Sequence, residues 1–265
     1  ITAIAIFVAI VPEGLPIILV ITLALGMRNM ARHKAIIRRM KAVETLGSTT
    51  VICSDKTGTL TKNQMTVRQL HTVDGYYSVT GDGFNPEGTL MQGEDKLDED
   101  SMAKLQSNPG FRLLASCLSL CHNSQISKQD NLWTAIGDPT DSACAVLGWK
   151  LNGDVRKFSQ RHPRLHEFFF NTERKRMSVV HDYEGERWVF SKGAAGGFVP
   201  ITTHRYLDGE LVEISDEDLK EASSRNEEMG SHSMRVIALA ARKLGADEDF
   251  TDITVVENNM IFLGL

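Results

Sequence analysis

The stretch that most restricts the fold is Thr50-Val51-Ile52-Cys53-Ser54 followed by Asp55-Lys56-Thr57-Gly58-Thr59-Leu60-Thr61. A short apolar run rich in β-branched residues, without polar alternation, predicts a strand buried on both faces, as in a parallel sheet. Gly58 predicts a turn directly after it. Asp55 is therefore expected where the strand ends. In open α/β sheets, ligands gather at that end of the strands. A carboxylate held there can act as a nucleophile and become an aspartyl-phosphate. A solvated turn aspartate is the competing reading.

A second constraint is the apolar segment from Ile1 to Met27. As a helix it would extend about 40 Å, enough to cross a bilayer. Its one ionisable residue is Glu13, within Pro12-Glu13-Gly14-Leu15-Pro16. A charge at membrane depth costs on the order of 3 kcal/mol, which marks Glu13 as a candidate functional group. The two prolines remove backbone donors and disfavour a continuous helix, freeing carbonyls near Val8, Ala9 and Val11. Such unwound backbone is tolerated in a membrane only where protein or a cavity surrounds it. Carbonyl oxygens beside a carboxylate suit a hard cation such as Ca2+. A kinked core helix with an ion-paired glutamate is the alternative. A signal peptide is disfavoured, because the segment has neither a basic start nor a small-residue cleavage site.

Residues 28–46 carry Arg28, Arg32, Lys34, Arg38, Arg39 and Lys41 before the first acid, Glu44. Basic residues beside a span mark the cytoplasmic side, so everything after residue 27 is expected there, beginning with a stalk helix. The net charge of −5 argues against nucleic acid as a partner. A length of 265 residues accommodates a span and one or two domains. The chain begins inside one apolar run and ends in another, Met260–Leu265, and is read as an internal piece of a longer protein. Cys53, Cys117, Cys121 and Cys144 do not form a disulfide framework, and cytoplasmic thiols stay reduced. Cys117, Cys121 and His122 lie in an apolar helical run with no second ligand pair at zinc-site spacing, so they read as core.

Further along, β-like residues begin near Val67 and include Tyr76–Val79. Residues 81–110 read as a surface loop. Helices are expected over Phe111–His122 and Asp138–Leu151, the latter with Asp138 as cap and Pro139 in its first turn. Strands are expected at Phe168–Phe170, Met177–His181 and Arg187–Ser191, with Glu184-Gly185-Glu186 as a hairpin turn. A helix over Asp216–Ser231, opened by Ser215, and strands at Arg235–Ala241 and Met260–Leu265 complete the reading. The mixture suggests a domain inserted into a parallel-sheet fold.

The string Asp55–Thr61, taken with Pro12–Pro16 and Ala42-Val43-Glu44-Thr45-Leu46-Gly47, resembles the P-type ATPases, and among them the type II cation pumps that include the calcium pumps. The resemblance runs from Val8 to Leu265. It implies an α/β fold: a partial haloacid-dehalogenase-like Rossmannoid phosphorylation domain with an inserted α+β nucleotide-binding domain, preceded by a transmembrane helix. The implied divisions are a span with a cation site at 1–27, a stalk at 28–46, the first part of the phosphorylation domain at 47–68, the nucleotide-binding domain at 69–257, and the start of the second phosphorylation part at 258–265. The implied activity is ATP-driven cation transport through an aspartyl-phosphate. Ca2+ is the first expectation, and Mn2+ or a sodium-type ion the alternatives. The implied setting is a multi-pass integral membrane protein, in contact with lipid, whose remaining pump domains belong to the same chain.

The resemblance also assigns roles. Asp55 accepts the phosphoryl group, Lys56 and Thr59 hold its oxygens, and Asp55 with the Thr57 carbonyl holds Mg2+. Glu13, Val8, Ala9 and Val11 hold the transported cation. In Phe170-Asn171-Thr172-Glu173-Arg174-Lys175-Arg176-Met177-Ser178, Phe170 stacks on adenine and Lys175 lies near ATP. Lys192, in Lys192-Gly193-Ala194, lines the same pocket, Asp141 contacts the purine amino group, and Arg235 approaches the phosphates. Elementary chemistry agrees: an aromatic face stacks on a base, cations offset phosphate charge, and an acid accepts from an exocyclic amine.

Two positions depart from the pattern. Ala195-Gly196-Gly197 stands where Pro-Glu is frequent, and Thr172 stands where some relatives carry Arg. Gly81-Asp82-Gly83-Phe84-Asn85 imitates a downstream magnesium motif but lacks its last Asp, and reads as a turn. Haloacid-dehalogenase phosphatases place a second Asp two positions after the nucleophile; here that position is Thr57. Lacking this general acid/base favours a phosphoenzyme that persists. A phosphatase, and a module that only binds nucleotide, are the rival functions.

Overall fold

The computed structural model describes residues 14–72 and 75–265. They fall into two compact units, divided between Lys62 and Asn63. The first holds helix α1, Leu15–Arg32, with a proline at its start where no donor is lost. By length and composition α1 can cross a membrane. It stops at a reversed turn. Lys34 takes φ 64°, its N–H donates to Ala31 O at 3.0 Å, and Ala35 N–H donates to Met30 O at 2.9 Å. This closure satisfies the last carbonyls and ends the helix. The expected stalk helix over 28–46 is thus broken: α2, Lys41–Gly47, forms separately. The expected cation ligands Val8, Ala9, Val11 and Glu13 lie outside the described residues.

The strand expected at Thr50–Ser54 does not form. These residues belong to no helix or strand, and Val51 and Ile52 are 71% and 86% exposed. A parallel strand depends on hydrogen bonds from its neighbours. Among the described residues, this unit contains no strand to supply them.

The second unit is built on a seven-stranded sheet. Its strands are β7 Arg164–Asn171, β8 Arg176–Tyr183, β9 Glu186–Gly193, β10 Thr202–Leu207, β11 Glu210–Glu213, β12 Ala238–Lys243 and β13 Met260–Gly264. The order is β11-β10-β13-β12-β9-β8-β7. Only β10 and β13 run parallel. Alternation decides the faces. Met177 and Val179 of β8 and Leu239 and Ala241 of β12 join one core; Val180, Ala238 and Ala240 join the other. Helix α4, Pro109–Leu120, covers the first face with Leu113, Leu114, Cys117 and Leu118. Cys117 and Cys121 are fully buried in that core, as their spacing predicts, and all four cysteines are free thiols. Helix α5, Pro139–Asn152, packs closely on α4. A Cβ at Gly148 would stand 2.8 Å from the Ser119 backbone nitrogen, so only glycine permits that approach.

A second sheet, β1 Gln69–Thr72, β2 Gly75–Val79, β3 Leu90–Gln92 and β4 Asp95–Lys96, joins the first where His71 exchanges two 2.8 Å backbone bonds with Leu265. Residues 81–110 are therefore not one loop: they contain β3, β4, helix α3 (Glu99–Ser107) and the start of α4. The glycines and acids that suggested a loop supply turns and the Asp98 cap of α3. The expected boundary at 258 is also corrected, since β13 is an interior strand of the large sheet. Its apolar pattern describes a buried strand without saying which sheet buries it. Two hairpins were not anticipated: β5 Gln125–Gln129 with β6 Leu132–Ile136, and β10 with β11. Their turns place Asp130-Asn131 and Asp208-Gly209 at positive φ, the signature of tight hairpins. Helices α6 Val155–Arg161, α7 Asp216–Ser231 and α8 Ile253–Val256 complete the unit.

Candidate nucleotide pocket and the Asp55 turn

Three local devices bring the pocket residues together. At the start of α5, Asp138 accepts from Thr140 N–H at 2.8 Å and Asp141 N–H at 3.3 Å. Burial opposes its charge, but those amides outweigh burial and hold the Asp138 carboxyl below its ordinary pKa. The cap fixes Asp141 in the first turn. Between β7 and β8, Asn171 Oδ1 accepts from Glu173 N–H at 2.7 Å, and Lys175 N–H closes the turn on Asn171 O at 2.7 Å. Lys175 sits there at φ 53°. The turn leaves Phe169 and Phe170 exposed, at 70% and 60%. The third device is the end of β9. Gly193 pairs with Arg176, and Lys192 with Met177. An added Cβ at Gly193 would stand 2.2 Å from Lys175 O, so this glycine is a steric requirement.

The result is a cavity of about 780 Å³ lined by Asp141, Phe170, Lys175, Lys192 and Arg235 together. All five residues named for nucleotide binding meet in it. Lys192 is 4% exposed and its Nζ lies 2.7 Å from Asp141 Oδ1. Burial opposes the ammonium charge; the Cys144 and Cys121 sulfurs and the Asp141 carboxylate act the other way and prevail, leaving the Lys192 pKa above its ordinary value. Asp141 Oδ2 accepts from Asn123 N–H at 3.1 Å. Each oxygen of Asp141 thus already has a donor and retains lone-pair capacity for another. Arg235 Nη1 donates to Thr140 Oγ1 at 3.1 Å. His122, near Lys192, is pushed down to about 4 by burial and then by the Lys192 charge, and is neutral at pH 7.

The cavity also includes Asn123, Thr140, Glu167 and Phe169, which sequence reasoning did not name. Phe169 was signalled by its place beside Phe170 on a strand. Asn123 and Glu167 are brought together by Arg164, which donates to Asn123 Oδ1 at 2.6 Å and Glu167 Oε2 at 2.8 Å. No local pattern announces that cluster.

Asp55 lies in the first unit, in an exposed turn rather than at the end of a strand. Its Oδ1 accepts from Thr57 N–H at 3.3 Å. Gly58 takes φ 75°, and Thr61 N–H closes the turn on Lys56 O at 3.2 Å. Lys56, Thr57 and Thr59 are exposed around it.

A mixed α/β domain with such a pocket defines a class of protein, and the comparisons identify it. The model of the P-type ATPase cytoplasmic domain N matches residues 110–265. The chain belongs to the P-type ATPases, and residues 110–265 of its larger unit are the part that matches their N domain. It is similar to the cation-transporting ATPase pma1 of Synechocystis, with 36% identity over 99% of this chain and 29% of the relative. It is also similar to calcium-transporting ATPase 1 of Lactococcus lactis, with 35% identity over 99% of this chain and 27% of that protein. The calcium-transporting ATPase of Bacillus subtilis is 34% identical over 97% of the chain and 28% of its own length. The chain thus spans less than a third of the length of these relatives.

Proposed function

We propose that this chain is the ATP-binding and phosphoryl-accepting part of a membrane cation pump. The observation that carries the reading is the convergence of Asp141, Phe170, Lys175, Lys192 and Arg235 on one cavity from four separate stretches of sequence. In the proposed mode, Phe170 stacks on adenine, Asp141 accepts from the exocyclic amine, and Lys192, Lys175 and Arg235 offset negative charge along the nucleotide.

Asp55 is the proposed nucleophile. One of its carboxylate oxygens attacks the γ-phosphorus of ATP; the bond to the β-γ bridging oxygen breaks, and ADP leaves with that oxygen. Lys56 and Thr59 hold the transferred oxygens. The donors available for Mg2+ here are the Asp55 carboxylate and the Thr57 carbonyl, both hard oxygens on an exposed turn, which fits that ion. Bound Mg2+ would offset charge during phosphoryl transfer. With Thr57 in place of a second carboxylate, this turn has no general base of its own to activate water, so the acyl phosphate persists. Calcium is the proposed cargo, since two of the relatives above are named calcium-transporting. Its proposed ligands are Glu13 and the carbonyls of Val8, Ala9 and Val11. Helix α1 is the proposed span, and the residues beyond it the cytoplasmic part.

The test is Asp55→Asn in the complete pump, which should abolish acid-stable labelling from γ-labelled ATP while leaving ATP binding intact. Labelling of the variant at the wild-type level would remove Asp55 as the nucleophile. For the 265-residue chain taken alone, nucleotide binding without turnover is the reading favoured by a cavity built wholly within the second unit.

A further inference from the structure

An ionic cluster outside the cavity lining ties the β7–β8 segment to the end of α8. At its centre is Glu257, directly after α8, with its side chain 3% exposed. Three residues from the pocket-bearing β7–β8 segment converge on it. Arg174 Nη1 bonds Oε1, Arg176 Nε donates to Oε2 at 2.7 Å, and Ser178 Oγ donates to Oε1 at 2.6 Å. Ser191 of β9 lies 2.6 Å from Ser178 Oγ and extends the network. The two arginines also reach the backbone. Arg174 Nη2 donates to Phe169 O at 2.8 Å, and Arg176 Nη1 donates to Gly197 O at 2.7 Å. Gly197 belongs to the Ala195-Gly196-Gly197 segment that departs from the family pattern.

We infer that Glu257 is the positioning residue for the base-stacking loop: through Arg174 it holds the Phe169 carbonyl, and so the backbone that presents Phe170 to the nucleotide. The inference rests on the nucleotide reading of the cavity. A carboxylate in this place can serve two guanidiniums and a hydroxyl at once, because it offers about four acceptor sites. A carboxamide offers one oxygen and leaves an arginine without an acceptor. Arg176, whose side chain is only 12% exposed, is the less able of the two to find water. It should keep the remaining oxygen, so Arg174 is released and the hold on Phe169 is lost. Ion pairs of this kind act as a unit and respond strongly to removal of one member.

The experiment is calorimetric titration of ATP into the whole 265-residue chain in detergent micelles, comparing wild type, Glu257→Gln, Phe170→Ala and the double variant. Glu257→Gln should weaken ATP binding about tenfold, the scale of a lost charged hydrogen bond. In the Phe170→Ala background the same change should weaken it less than twofold, because its effect passes through that ring. ATP affinity within twofold of wild type in folded Glu257→Gln would overturn the inference. So would an equal loss in both backgrounds, which would mean a general structural effect. If Glu257→Gln does not fold, Arg174→Met, which removes the tie to Phe169 together with one ion pair but leaves Arg176 and Ser178 on Glu257, decides by the same cycle. A wild-type chain that binds no ATP would instead overturn the nucleotide reading itself.

Discussion

Gly193→Ala adds one methyl group at the most crowded point of the pocket. Its Cβ would stand 2.2 Å from Lys175 O and 2.6 Å from Arg176 Cα. Both are backbone atoms, so no rotamer change relieves the clash. Ordinary contact requires the β8 and β9 backbones to separate by roughly 1 Å at this pair. Ala194 N–H donates to Lys175 O at 2.9 Å, and that bond would stretch or break. Its loss removes about 1 kcal/mol, and overpacking typically adds about 1–3 kcal/mol. The expected destabilisation is therefore about 2–4 kcal/mol. ATP affinity should fall at least about tenfold, because the displaced atoms carry Lys175 and adjoin Lys192. Urea denaturation followed by circular dichroism gives the first quantity and calorimetry the second. Gly230→Ala is the control: it lies in α7 with open space around its Cβ position, and should stabilise by about 0.4–1 kcal/mol. Equal stability and equal ATP affinity of Gly193→Ala and wild type would refute the steric argument.

Phe170→Ala should lower ATP affinity by roughly tenfold, the scale of one lost base stack, with little change in stability because the ring is 60% exposed; unchanged affinity would place the base elsewhere. Asp138→Ala removes the cap of α5 and should cost about 1 kcal/mol while weakening ATP binding through Asp141; a stability unchanged in urea titration would contradict the cap's role. His181 is buried, its Nδ1 lies 2.8 Å from His162 O, and burial pushes its pKa down to about 4 from 6.5. The unfolded chain therefore binds the proton first. Stability attributable to His181 is complete above pH 6.5 and is lost as pH falls toward about 4, on the order of 3 kcal/mol when fully titrated. Denaturation midpoints in this range should fall with pH less steeply in His181→Asn than in wild type, with His122 supplying part of the remaining slope. Parallel curves for the two proteins would refute the assignment.

The features legible in the sequence are those stabilised within a few residues. Ser215 and Asp218 form the reciprocal cap of α7, and the helix occupies Asp216–Ser231 as expected. Asp138 and Pro139 start α5 in the same way. Glu184-Gly185 turns β8 into β9 at φ 56° and 81°. Asp208-Gly209 turns β10 into β11 with the same signature, at φ 50° and 85°. Phe170, Lys175 and Lys192 were named through the family resemblance, whose motifs here coincide with one loop and one strand end.

Other features depend on partners distant in the chain. Thr50–Ser54 has the composition of a strand but no neighbouring strand within its unit, and composition cannot supply hydrogen bonds. Lys34 ends α1 in a conformation more often taken by glycine or asparagine, so its identity gives no warning. Glu257 looks like an ordinary surface acid until folding brings it against Arg174 and Arg176, 83 and 81 positions earlier. Local chemistry in the chain determined the turns, caps and reactive groups, because each is decided by backbone geometry and hydrogen bonds among adjacent residues. Tertiary structure alone decided which sheet Met260–Gly264 enters, which carboxylate is buried among arginines, and that five scattered side chains share one cavity. Those outcomes depend on long-range burial and pairing, whose energies arise only when distant segments meet.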